Sequence, residues 1–77
     1  MFLTAKEIDK IADNLQVNFN LNLNSQSRLP EIAATVRQHL ADELDILEPR
    51  QSLCLLIAHR ARLKWISSIA QVKNLNH

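Results

Sequence analysis

Apolar residues recur along this chain at two spacings, and the first of them is helical. Ile8, Ile11, Ala12, Leu15 and Phe19 fall on one stripe, with Lys6, Lys10 and Asp13 outside it, as an amphipathic helix requires. Its start is written in side-chain chemistry. Thr4-Ala5-Lys6-Glu7 is a capping box, in which the Thr4 hydroxyl accepts from the Glu7 amide and the Glu7 carboxylate accepts from the Thr4 amide. Leu3 and Ile8 form the hydrophobic staple across that cap. From Val17 to Asn24 the pattern turns into strict alternation, with Val17, Phe19, Leu21 and Leu23 apolar and Asn18, Asn20, Asn22 and Asn24 polar. Period two is a strand signal, but Asn is depleted in strands and no second convincing strand exists to pair with this one. Leu15, Phe19 and Leu23 also continue the helical stripe. Two readings therefore stand: a helix that frays near Asn22, or an extended segment that needs a partner edge, for instance from a second copy.

After the polar connector Ser25-Gln26-Ser27, Pro30 suits the first turn of a second helix, where a missing N–H costs nothing. Ile32, Ala33, Val36, Leu40, Leu44 and Leu47 form its apolar stripe, opposed by Glu31, Arg37, Gln38, Asp42 and Asp45. Pro49 disfavours helix at the residue before it, which places the end near Leu47 and lets the same proline open a third helix. In that third segment Arg60, Lys64, Ser67, Ser68 and Gln71 share one polar stripe. The remaining arc is mostly apolar and covers about 200°, twice the ~100° face that docking on neighbours needs. The expected fold is all-α, a single domain over 1–77 built as a small three-helix bundle with helices about 4–22, 30–47 and 50–73. The excess apolar arc predicts a further surface to be covered.

Composition narrows the function classes. The chain has 77 residues with no glycine and two prolines, which fits a compact helical unit and leaves no Walker, Rossmann or nucleophile-elbow motif. Charge is segregated: residues 1–48 carry four basic and eight acidic side chains, whereas residues 49–77 carry five basic and none acidic. One account sets the basic third helix beside the acidic end of the second, at Asp42, Glu43, Asp45 and Glu48; the others are an acidic partner or nucleic acid. Of the cations, Arg50, Arg60 and Lys64 are the candidates for such a contact, with Arg62 pointing to the apolar side, where its stem would lie along the surface. Two aligned cations plus Arg50 make a thin footprint beside the six to ten phosphate contacts of a typical DNA binder.

Cys54 lies within Leu53-Cys54-Leu55-Leu56-Ile57-Ala58 and reads as a buried small hydrophobe. One cysteine cannot form an internal disulfide, which fits a reducing cytoplasm. That apolar run falls short of the ~20 residues of a membrane span, and acids at Glu7 and Asp9 argue against a signal peptide. His39, His59 and His77 are spread out, and no Cys or carboxylate falls at an i, i+3 or i+4 spacing that makes a recognisable ligand set beside two of them, so no metal or other cofactor is expected. Ser67-Ser68 reads as a solvated face. An enzyme is not expected.

Three patches resemble a known family. Leu29-Pro30-Glu31-Ile32-Ala33-Ala34-Thr35-Val36, Glu7-Ile8-Asp9-Lys10-Ile11 and Leu56-Ile57-Ala58-His59-Arg60 are similar, in the same order, to segments of the theta subunit of bacterial DNA polymerase III. The interval between the second and third patches along the chain is longer here by about one helical turn. The first helix also lacks that family's glycine, and leucines at 53, 55 and 56 stand where its aromatics would be. The resemblance implies a three-helix accessory protein of DNA replication that binds and stabilises the proofreading exonuclease subunit of the polymerase core. On this reading the partner contact is placed on Leu55, Trp65, Ile66 and Ile69, with Trp65 as anchor unless it fills the bundle core. The alternative is a small homodimeric helical regulator that touches DNA through Arg50, Arg60 and Lys64.

Overall fold

The structure, a computed structural model, describes residues 3–18, 23 and 26–75, with side chains over 3–15, 23 and 26–68. Three helices follow one another, α1 (Ala5–Asn18), α2 (Leu29–Leu44) and α3 (Gln51–Leu75), with no strand among the described residues. The capping box forms at the head of α1. The Thr4 amide donates to Glu7 Oε1 at 3.1 Å, the Glu7 amide donates to Thr4 Oγ1 at 3.2 Å, and the Thr4 hydroxyl donates to Glu7 Oε1 at 2.9 Å. Leu3 and Ile8, the two ends of the staple, are half-buried against the core. Thr4→Ala removes two of these bonds, and its expected cost is about 1 kcal/mol by chemical denaturation.

Of the expected continuation of α1 to about residue 22, positions 19–22 lie outside the described residues. Leu23 is not helical and packs against the core. The second helix starts one residue before Pro30, with Arg28 in the extended region (φ −69°, ψ 141°) and its carbonyl accepting from the Glu31 and Ile32 amides.

The end of α2 departs from the expected position near Leu47. The helix stops at Leu44 because Asp45 turns left-handed (φ 55°, ψ 30°), and the amides of Asp45 and Ile46 both return to the Leu40 carbonyl. The turn carries Ile46 inward against the core, while Leu44 and Leu47, assigned to the apolar stripe by spacing, stay 45% and 70% exposed. Glycine would be the usual residue here; in a chain without any, a short polar side chain is one of the few that tolerates the conformation. Asp45→Gly is expected to raise the unfolding free energy by about 0.5–1 kcal/mol, and Asp45→Val to lower it by about 1 kcal/mol or more. Matched urea titrations of the two variants check this.

At 25 residues α3 spans about 37 Å, and both shorter helices pack on it rather than chiefly on each other. The core joins Ile11, Ala12 and Leu15 of α1, Ile32, Val36 and Leu40 of α2, and Cys54, Ile57, Ala58 and Ala61 of α3. The alanines at 12, 33, 58 and 61 are almost wholly buried. In a glycine-free chain these are the small side chains that let helix axes approach to the ~8–10 Å of a packed pair.

Candidate functional site

The core side of α3 holds Cys54, Ile57, Ala58 and Ala61, so the positions diametrically opposite face outward. Three of these are large and apolar: Leu56, Leu63 and Ile66 are 51%, 43% and 47% exposed. Their spacings of seven and three residues place them in one row along the helix, with the exposed His59 between them. Of the four positions expected to make the partner contact, only Ile66 lies in this row. Leu55 and Trp65 are half-buried against the core, and the side chain of Ile69 lies outside the described residues. Leu56 and Leu63 were not singled out from sequence. The signal that marks them is the small-residue set Cys54, Ala58 and Ala61, which identifies the inward side and so the outward one.

The lower end of this row meets a groove of about 450 Å³. Leu3 and Ile8 come from the head of α1, Ile46 and Pro49 from the α2–α3 connection, and Leu53 and Leu56 from the first turns of α3. Exposed Glu48 and Arg50 supply the charged part of its lining. The connection itself is clasped by Arg37, whose Nη1 donates to the Pro49 carbonyl at 3.1 Å and whose Nη2 donates to Gln51 Oε1 at 2.7 Å. Sequence reading had placed Arg37 only on the polar side of α2.

The cations of α3 also find partners other than those expected. Arg60 Nε donates to Asp9 Oδ1 at 2.8 Å, and Lys64 Nζ lies 3.3 Å from Asp9 Oδ2 and 3.0 Å from Asp13 Oδ1. The basic stripe therefore runs along α1, not beside Asp42, Glu43, Asp45 and Glu48. Asp9 and Asp13 stand four residues apart, as do Arg60 and Lys64, and the pairing advances in the same direction on both helices, so α1 and α3 run parallel and the two rows fall in register. Arg50 is exposed at the groove, and the four acids at the end of α2 are exposed as well.

The hydrogen bond from Arg60, first, and the Lys64 contacts hold the Asp9 carboxyl below its ordinary 3.8, whereas Asp13, first, and Asp9 hold the Lys64 ammonium above 10.5. Within the capping box, the Thr4 amide and then its hydroxyl hold Glu7 below 4.5. Both carboxylates contribute stability above their ordinary values, and it is lost as pH falls through the lower folded ones. The Lys64 contribution is complete below its ordinary value and is lost as pH rises through the higher folded one. Glu7 is exposed and Asp9 and Lys64 are only half-buried, within reach of water, so each contribution is small. Thermal melts should show a midpoint that is nearly flat through neutrality and declines below about pH 4; Asp9→Asn should flatten part of that decline.

Chemistry beyond docking is sparse among the described residues. They hold no group of three or more His, Cys, Asp or Glu side chains disposed to bind a metal. His39 is buried on α2, His59 is exposed on α3, and His77 lies outside the described residues. Ser67 is exposed and Ser68 half-buried. Cys54 is fully buried and in no disulfide, so a thiol reagent should modify it only as fast as the bundle opens.

No helix among the described residues is long and apolar enough to cross a membrane. Fold and surface together define a small all-α three-helix domain with an uncovered apolar row on its longest helix. No family model, no curated protein and no solved structure matches the chain.

Proposed function

We propose that this chain is a non-catalytic accessory protein that works by docking the outer row of α3 onto another protein. The observation that carries the reading is the exposure of Leu56, Leu63 and Ile66 in one line on the helix that also organises the core. Contiguous exposed apolar surface is the kind of surface on which protein–protein contacts form. By the resemblance of its three patches to the theta family, the partner is the proofreading exonuclease subunit of a bacterial replicative polymerase, and the compartment is the cytoplasm. Docking would cover the row and stabilise the partner by mass action, about 2.7 kcal/mol at a hundredfold excess over the dissociation constant.

A recombinant exonuclease subunit should melt at a higher temperature with saturating amounts of this protein than without. An unchanged midpoint rejects the accessory role. The alternative contact with DNA through Arg50, Arg60 and Lys64 has less to support it, because Asp9 and Asp13 already neutralise Arg60 and Lys64. Phosphate recognition would show as affinity falling steeply with salt.

A further inference from the structure

Two exposed leucines at the end of α2 differ in their surroundings from the row on α3. Leu44 and Leu47 are 45% and 70% exposed, and the exposed acids Asp42, Glu43, Asp45 and Glu48 are interleaved with them along the chain. Residues 42–48 include no lysine or arginine. The ion pairs among the described residues go to Asp9 and Asp13, and none of these four carboxylates is in one. Arg50, which lines the groove with Glu48, is in none either. The fold gains nothing from this charge. Asp42 and Glu43 lie in the last turn of α2, which has no basic residue, and anions are unfavourable at that end of a helix. Leu47 is nevertheless held in place. The Asp45 and Ile46 amides fix the turn before it on the Leu40 carbonyl, and Arg37 holds the Pro49 carbonyl after it. A surface set before binding loses little freedom when it is covered.

We propose that Leu44, Leu47 and the acids around them bind a basic amphipathic segment of another protein, one with lysine or arginine flanking apolar side chains. The apolar side chains of the segment cover the leucines. Its cations meet the carboxylates at the rim, where opposite charge speeds encounter and fixes register. The carboxylates do not converge on one point, since among the described residues no three are disposed to hold a metal ion. Cations spaced along a chain answer them, and a single ion does not. The proposal goes beyond the accessory reading and does not rest on it, because that reading uses the outer row of α3.

Fluorescence anisotropy of a labelled amphipathic peptide of leucine and lysine, titrated with the full chain, tests it. Saturable binding is expected, and it should weaken as salt rises. Leu47→Ser and, separately, Glu43→Gln with Glu48→Gln should each weaken it about fivefold or more. Asp13→Asn with Glu31→Gln changes net charge equally and should leave affinity within about twofold, as should Leu63→Ser on the outer row. Without peptide, Glu43→Gln should melt no lower than the unsubstituted chain. A lower midpoint would give that carboxylate a role in the fold and overturn the proposal. A peptide of lysine and serine bound as tightly would reduce the attraction to charge alone. Loss of binding in Leu63→Ser would place the peptide on α3. A chain whose own mass doubles unless Leu47 is replaced would put a second copy on these leucines. Each of these results overturns the proposal, as does no binding at millimolar peptide. None touches the exonuclease melting experiment, so the two readings fail separately.

Discussion

Ile57→Ala should lower the unfolding free energy by about 3 kcal/mol, while Leu56→Ala next to it should change it by less than about 0.5 kcal/mol. The two residues differ by one position on the same helix and by nearly the same volume of removed side chain. Ile57 is fully buried where the helices meet, whereas Leu56 is half exposed on the outer row. Truncating Ile57 removes its transfer free energy and leaves a cavity that three helices with Ala12, Ala33, Ala58 and Ala61 at their contacts have little side-chain volume to fill. A domain of 77 residues holds only about 4–11 kcal/mol in total, so the loss is a large fraction of it. Urea denaturation with a shared slope decides the matter. Equal costs for the two variants would mean that the inward and outward sides of α3 are wrongly assigned, and with them the docking row.

Beginnings of helices were legible in this sequence, and endings and neighbours were not. The head of α1 is specified by Thr4 and Glu7 acting on their own backbone, and the head of α2 by Pro30; both signals are local, so a linear reading captures them. The end of α2 is decided by a left-handed Asp45 that pulls Ile46 into the core, a choice between Ile46 and Leu47 that spacing alone does not make. Periodicity continued the stripe through Leu44 and Leu47, and packing released both to solvent. The acids at 42, 43, 45 and 48 are nearer Arg60 in sequence than Asp9 is, yet a chain that goes up, down and up again brings α1 back in parallel register with α3. Helical spacing tells which side chains share a face; it does not tell which helix that face meets.

The outer row was half legible for a related reason. A wide apolar arc on the third helix was evident from the sequence, and the excess is real in the sense that Leu56, Leu63 and Ile66 remain uncovered. The choice of Leu55, Ile66 and Ile69 within the arc followed the lone Trp65, which drew the contact toward itself as an anchor. In the structure Trp65 spends much of its surface on the core, and smaller residues on the opposite side form the exposed line. A large aromatic on an amphipathic helix can close the edge of a core as well as anchor a partner.

Arg37→Ala should destabilise the domain by about 2 kcal/mol, more than any exposed charge on the molecule, because its guanidinium donates to two acceptors that hold the start of α3. One is the backbone carbonyl of buried Pro49, at 3.1 Å, and the other is Gln51 Oε1, at 2.7 Å. Removing the side chain leaves that carbonyl to find water at a partly buried position and frees the connection that carries Ile46, Pro49 and Arg50 into the groove. Arg37→Lys should recover little, since one ammonium does not reproduce a fork that reaches two acceptors at once. Gln51→Ala should cost less than Arg37→Ala, because the bond to Pro49 survives. The readout that separates a clasp from general surface charge is hydrogen exchange: in Arg37→Ala, protection should fall first at the Leu53 and Cys54 amides, both bonded to the Arg50 carbonyl at the head of α3, while the Ile8 amide of α1 stays as it was. Uniform loss along all three helices would make Arg37 one more contributor to global stability. Loss confined to the base would identify it as the residue that positions the groove.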